Sequence, residues 1–335
     1  MSETPDTVPP SFTLRLRYLA EAAAFFGFIG FFRILGVDAA SAAGGFIGRH
    51  LFYRAGVTNR ARVNLKAAFP DKTGAEVESI VREMCENLGR TVSEYAHLDR
   101  IGILGKHARI AVDGIEHARR AVDAGKGVIF FSGHFANWEV MPFVVAAQPG
   151  FEGGEVYRPQ NNPFVDRWLV QQRWRNGPKD QIAKGPRGTR RIFTLLRRGK
   201  TICLLVDQKT NEGVPALYFG REAMTTPAPA AFALKLGAAL IPAHIERTDG
   251  CHFRFRFHPA LSFQPSGDYD RDVLELTATI TRKVESLVRE HPSQWLWIHR
   301  RWPTGREQDQ VQSKRAAQVR GGAGVVVERE GSSLT

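Results

Sequence analysis

A chain of 335 residues with 43% hydrophobic and 24% charged side chains has globular proportions, which argues against a disordered polymer and allows a core that needs no covalent staples. Its net charge of +12, most of it within residues 61–302, points to an anionic partner (nucleic acid, anionic lipid or an acidic protein) or to a merely basic surface. Cys85, Cys203 and Cys251 are odd in number, far apart and without metal-ligand spacing, so reduced thiols in a cytosolic compartment are expected rather than a disulfide or a zinc site.

Residues 1–12 are polar and Pro-containing, and disorder is expected there. The Phe-rich stretch Ala22–Phe32 follows, with Arg15, Arg17 and Tyr18 before it and Arg33 after it. It falls short of the ~20 apolar residues that a spanning helix needs. It also lacks the small-residue cleavage site of a signal peptide. Arginine near headgroups and aromatic rings in the interface suit a helix lying on a cytoplasmic membrane surface. A second helix from about Asp38 would close a hairpin. The expectation is a membrane-associated helical segment over 13–56, with an ordinary buried helix pair as the alternative.

Thr73 and Glu76 make a capping box for the helix in "TGAEVESIVREMCENLGRTVSEYAHL". From there helices and strands alternate. "ARIAVDG" reads as a strand, "IEHARRAVDAG" as a helix stopped at Gly125, and "GVIFFS" as a strand. "NWEVMPFVVAAQ" reads as a helix if Pro142 lies in its first turn. "GGEVYR" is a strand, "NPFVDRWLVQQRWRNG" and "GTRRIFTLLRRG" are helices, and "TICLLVDQ" is a strand. "TTPAPAAFALKLG" starts a helix with a Thr cap and Pro at its entrance, and "AALIPAHIER" is a strand. In "CHFRFRFHP", Phe253, Phe255 and Phe257 alternate with Arg254 and Arg256, the pattern of a half-buried strand. Residues 270–290 read as a long helix and "QWLWIHRR" as a last strand. This order predicts an α/β fold, a mixed central sheet flanked by helices over 57–304, with an N-terminal helical membrane anchor. The polar, Gly-rich residues 305–335 read as a disordered tail.

No nucleophile elbow, P-loop, dinucleotide fingerprint, H-E-x-x-H or nucleic-acid module occurs. What stands out is His134, directly behind the apolar strand, with Glu139 five positions on. In a helix, residues five apart differ by about 140° and share no face. The pair makes sense with His134 in the turn after the strand and Glu139 in the first turn of the next helix, capped by Asn137. Ligands of open α/β sheets bind beyond the carboxyl ends of strands. A carboxylate on one ring nitrogen raises the basicity of the other, which can then deprotonate a hydroxyl. That chemistry favours direct attack of an acceptor hydroxyl on an activated acyl group. The plain alternative is a turn histidine and a capping glutamate.

"HFANWE" behind an apolar strand resembles the H-x-x-x-x-D/E box of the glycerolipid and lysophospholipid acyltransferase superfamily. It resembles more closely the lauroyl and myristoyl acyltransferases that add secondary chains to lipid A in Gram-negative bacteria. "NLKAAFP" (64–70), "YRPQNNP" (157–163), "LLVDQ" (204–208), "YFGREAMTTPAPAAFALKLGAALIP" (218–242) and "WLWIHRRWPT" (295–304) resemble that family's blocks in its order. The resemblance covers roughly residues 15–304. It implies His134 as general base, Glu139 as its charge partner, and neither metal nor prosthetic group. It implies an acyl carrier protein as donor, an acidic partner that suits a basic surface, and a bis-phosphorylated glucosamine disaccharide whose hydroxyacyl chain is esterified. It places the enzyme on the cytoplasmic face of the bacterial inner membrane, with no nucleic-acid partner. Another glycolipid or lysophospholipid acceptor, or acyl-CoA as donor, is the alternative. A silent basic binder of anionic lipid or nucleic acid is the non-enzyme rival.

Under this reading Asn137, Arg158, Lys184, Asp207, Gln208, Thr225, Thr226, Arg300 and Arg301 are the expected substrate contacts. Residues Lys184 to Lys200 hold seven Lys/Arg and no acid, mostly a solvated face, and Arg158 at a strand end is the better phosphate ligand. Asp207 and Gln208 end a strand, to orient substrate or cap a turn. Thr225 and Thr226 place a helix N-terminus near the acyl group. His97, His244, His258 and His299 are read as structural, His299 bordering the basic pair.

Overall fold

Apolar runs bounded by glycines and polar turns supply the central strands, as alternation with helices requires. The computed structural model describes residues 11–103 and 108–302. Strands β1 (Ile110–Asp113), β2 (Val128–Ser132), β3 (Gly153–Tyr157), β4 (Asp180–Ala183), β5 (Thr201–Leu205), β8 (Ala239–Asp249) and β9 (His252–Phe257) form one seven-stranded sheet, in the order β1-β9-β8-β2-β5-β3-β4. β8, β2, β5, β3 and β4 run parallel, while β9 and β1 run against them, so the sheet is mixed as expected. β2 is buried along its whole length at the centre. Phe253, Phe255 and Phe257 are buried, the apolar face that their alternation predicts. A separate hairpin joins β6 (Val214–Tyr218) to β7 (Arg221–Thr225).

Two apolar clusters flank the sheet. Helices α3 (Thr58–Ala68), α4 (Gly74–Glu94), α8 (Pro186–Arg197), α9 (Ala228–Leu236) and α10 (Tyr269–Glu290) pack on one side. Helices α5 (Ile115–Asp123) and α6 (Met141–Ala146) pack on the other. The capping box of α4 is present, with Thr73 and Glu76 bonded reciprocally. Pro142 lies in the first turn of α6, where its missing N–H costs nothing.

Helices α1 (Phe12–Leu35) and α2 (Val37–His50) form the expected N-terminal hairpin. α1 begins at Phe12, capped by Ser11. It extends well beyond the apolar stretch and is long and apolar enough, by length and composition, to cross a membrane. α2 crosses α4 closely: a Cβ on Gly89 would lie 2.1 Å from the Gly44 carbonyl oxygen, so only glycine allows this approach. Residues 1–10 and 305–335 lie outside the described residues.

The expected strand in "QWLWIHRR" is not one. Among the described residues a single bridge, Phe135 to Trp295, joins it to other backbone. Its carbonyls are taken by side chains instead: Asn64 Nδ2 donates to Trp297 and His299, and Arg60 to Ile298. α3 (from the "NLKAAFP" block) thus holds the "WLWIH" block in place.

Candidate active site

The parallel register of β2 on β5 pairs Ser132 with Leu205. Two residues further on, each strand delivers one side chain to the same level: His134 from β2 and Asp207 from β5. Asp207 Oδ1 lies 2.8 Å from His134 Nδ1, and its Oδ2 accepts the His134 backbone N–H at 2.8 Å and the Trp295 indole at 2.7 Å. Burial alone would raise this carboxyl, but the charge and hydrogen bonds of His134, with Trp295, hold it well below the usual carboxylate range. Ionised Asp207 therefore takes the proton-bearing Nδ1, so that in the neutral imidazole the lone pair falls on Nε2. Gln208 Nε2 sits 3.1 Å from that Nε2 and 3.1 Å from Nε2 of His299. Gly133 permits the turn, because a Cβ there would meet Asp207 at 3.0 Å.

The ring's carboxylate hydrogen bond comes from Asp207 and not from Glu139, which stands within electrostatic range of His134 without bonding to it. Glu139 lies buried in the 3-10 turn 138–140 that precedes α6. Both its oxygens are taken: Arg173 of α7 (Pro163–Asn176) donates to each at 2.8 Å, and Tyr95 Oη donates to Oε1 at 2.8 Å. Burial opposes its charge, yet Arg173 and Tyr95 hold its carboxyl below the ordinary value. Glu155 of β3 reaches Arg173 less closely, at 3.2 Å. One guanidinium cannot neutralise two carboxylates, so burial and the nearby Glu139 push Glu155 up to about 8. Nη1 of Arg173 and Oε2 of Glu155 are buried without hydrogen-bond partners among the described residues.

Asn137 does not cap the helix either. It is fully buried and donates to Glu94, which also binds Arg247 and Ser41. The residue before it, Ala136, adopts φ 43°, a strained value for a side chain with Cβ. Its carbonyl is held by Thr91 Oγ1 at 2.9 Å and its N–H by the Gln294 carbonyl at 2.9 Å. α4 therefore clamps the turn from one face with Asn87, Thr91, Glu94 and the following Tyr95. The backbone N–H groups of His134, Phe135, Ala136 and Val140 are spent on protein acceptors, which takes these four out of the set that could serve as oxyanion donors.

A cavity of about 870 Å³ opens at Nε2 of His134, within the size range of small-molecule sites. Its polar wall carries His134, Gln208, His299, Arg158 and Lys184, while Phe25 and Phe28 of α1, Leu169 of α7, Leu205 and Leu296 supply apolar wall. Arg158 and Lys184, two of the expected substrate contacts, thus line the cavity. Burial and the nearby Arg158 lower the Lys184 ammonium, against the pull of Asp207. Arg301, Thr225, Thr226 and Arg300 do not line the cavity. Arg301 is buried and donates to Thr225 Oγ1 at 2.8 Å and to the Met224 carbonyl, so both residues brace the β6–β7 hairpin rather than face a ligand. Thr226 Oγ1 accepts from Ala228 at the start of α9, the predicted cap, and Arg300 is exposed. His97 holds the Phe32 carbonyl of α1, and His244 and His258 bond one another, all outside the cavity. His299 belongs to the site, contrary to its structural reading; its place beside Arg300 and Arg301 was the only sign.

A sequence model of bacterial lipid A biosynthesis acyltransferases matches residues 10–304. The phosphatidylinositol mannoside acyltransferase of Mycobacterium tuberculosis is 24% identical over 259 residues, 76% of this chain and 80% of that protein. The lipid A biosynthesis palmitoleoyltransferase of Escherichia coli is 26% identical over 253 residues, 73% of this chain and 78% of that one. The lipid A biosynthesis lauroyltransferase of Escherichia coli is 26% identical over 267 residues, 76% and 81% respectively.

Proposed function

The chain belongs to the bacterial lipid A biosynthesis acyltransferase family and is a glycolipid acyltransferase; on that premise we propose that it moves a fatty acyl chain from acyl carrier protein to a hydroxyl of a lipid A precursor, at the cytoplasmic face of the inner membrane. The observation that carries this reading is His134 at the cavity wall, with Nδ1 held by buried Asp207 and Nε2 turned to the side chain of Gln208, which also lines the cavity. His134 takes the acceptor's hydroxyl proton as that oxygen attacks the thioester carbonyl carbon. The tetrahedral adduct collapses, the carbon–sulfur bond breaks, and the leaving thiolate receives the proton back from His134. An oxoester forms and a thiol is released. Arg158 and Lys184 suit an acceptor phosphate, and the apolar wall suits the acyl chain. Glu139 serves the turn's position through Arg173 and Tyr95.

The similarity to phosphatidylinositol mannoside acyltransferases favours one second reading, a mannosylated inositol lipid as acceptor. One experiment separates the two. Purified protein is incubated with each acceptor and a set of acyl-ACP and acyl-CoA donors, beside His134→Ala, and products are weighed by mass spectrometry. A gain of one acyl chain on the lipid A precursor from acyl-ACP, absent in the variant, is expected. Gain only on the inositol lipid would move the assignment. Equal gain in the variant would refute His134 as the base.

A further inference from the structure

Outside the cavity, three imidazoles and a carboxylate converge where β8 and β9 meet the segment after α10. His244 and Glu246 are two apart on β8 and project from one face. His258 follows β9, and His291 follows α10. The rings of His258, His244 and His291 stack in a row, with centroids 5.1 Å and 6.1 Å apart. Nδ1 of His244 lies 3.0 Å from Nε2 of His258, and Nε2 of His291 lies 2.8 Å from a Glu246 oxygen. Nε2 of His244 is buried and has no hydrogen-bond partner among the described residues. Donor atoms of His244, Glu246 and His291 all lie within 4.8 Å of one another.

We propose that His244, Glu246 and His291 bind one zinc-class divalent ion, with His258 accepting the Nδ1–H of His244. That hydrogen bond fixes the His244 tautomer and leaves an Nε2 lone pair that no protein donor satisfies; a metal ion satisfies it. Two imidazoles and a carboxylate, with a fourth position open, form a zinc donor set. Bonds of roughly 2.1 Å give tetrahedral edges of about 3.4 Å, so the donors close by about 1.4 Å at most. His291, partly exposed beyond a helix end, supplies that movement and the path of entry. Arg256 and Lys283 lie within electrostatic range of His244, and Arg254 is 3.4 Å from the other Glu246 oxygen. Such surroundings repel a hard ion held by charge alone and favour a metal that bonds imidazole nitrogen. The ion ties the 291–296 segment to β8. That segment carries Gln294, Trp295 and Leu296, which bond Ala136, Asp207 and His134, so the ion braces the back of the acyl-transfer turn without touching substrate.

The test is a calorimetric titration of chelator-treated, full-length detergent-purified protein with zinc chloride, with bound metal counted by mass spectrometry. One zinc per chain and a raised Tm are expected. His291→Ala and Glu246→Gln should each weaken binding by more than about 100-fold, beyond the 10–100-fold that outer ligand contacts are worth, while His258→Ala falls within that range. His244→Ala removes a buried side chain and can unfold the protein, so the partly exposed His291 carries the test, with circular dichroism checking its fold. No zinc binding by the parent chain at micromolar concentration would overturn the proposal. So would stoichiometric binding unchanged in both variants, or binding lost in His299→Ala, which would assign the ion to the cavity.

Discussion

As the proposed general base, His134 must present a lone pair on the cavity side, and Asp207 decides which nitrogen that is. Asp207→Asn is expected to keep the fold and lower kcat by about 10²–10⁴-fold, with KM little changed, in a steady-state assay with acyl-ACP. A loss of only a few-fold, beside a larger loss in Glu139→Gln, would return the partner role to Glu139. The folded Asp207 carboxyl is depressed. Its stabilising effect is therefore complete above the unfolded value near 3.9 and lost only as pH falls below it through the folded value, so the pair stays assembled at neutral pH. Glu155 has the opposite sign. Its folded carboxyl is raised to about 8, so its contribution is complete below an unfolded value near 4.3 and is lost as pH rises toward 8. Glu155→Gln removes that loss. The Tm of the variant minus that of the parent should grow from pH 5 to pH 8 and then level off in scanning calorimetry; a difference independent of pH would mean that Glu155 is ionised throughout. The proposed base was legible in one short stretch, because a histidine directly behind an apolar strand is a local signal. Its partner was not, because the β2–β5 register joins residues 73 positions apart, and "LLVDQ" by itself offers a turn residue as readily as an orienting carboxylate. Arg173 was hidden for the same reason, as one arginine among several in a polar helix.

At the scale of elements, α4 carries the acyl-transfer turn on one face and the N-terminal hairpin on another. Gly44 and Gly89 let α2 and α4 touch backbone to backbone. Gly89→Ala should force the helices apart and cost about 1–3 kcal/mol in urea unfolding, the usual scale of overpacking. Because Thr91 and Glu94 of the same helix hold Ala136 and Asn137, kcat should fall with stability in that variant. A stability loss with kcat untouched would show that the clamp tolerates displacement. The capped helices were readable, since Thr73, Pro142 and Gly125 mark boundaries by their own chemistry. The β6–β7 hairpin was not. Its two-residue loop is Phe219-Gly220, both with positive φ, and a phenylalanine stands where Asn or Asp would have signalled the turn. "WLWIH" failed in the other direction: its alternation is real, but side chains from α3 take the carbonyls that a neighbouring strand would have used.

Over the whole molecule, α1 is docked along one side, with contacts near its start, middle and end. Asn162 holds the Tyr18 carbonyl, Trp168 packs edge-on against Phe25, and Arg33 binds Asp99 through both guanidinium nitrogens. That docking leaves the opposite side of α1 exposed. Its outer face exposes Phe26, Phe31 and Ile34, while Phe25 and Phe28 line the cavity. A lipid entering across α1 would leave the bilayer and reach His134 without passing through water. The two faces should therefore separate by mutation. Each large apolar side chain withdrawn from water contributes about 1.5–3 kcal/mol, so changing Phe26, Phe31 and Ile34 together to Ser should lower partitioning onto phosphatidylethanolamine/phosphatidylglycerol vesicles by at least about 100-fold. Turnover of acceptor dispersed in detergent should survive that change, since the cavity is intact. Phe25→Ala should do the reverse, leaving vesicle sedimentation unchanged while raising KM for the lipid acceptor or shifting the preferred acyl chain. If Phe25→Ala released the protein from vesicles as completely as the outer set did, α1 would be embedded on both sides and the cavity could not be walled by it in the membrane-bound state.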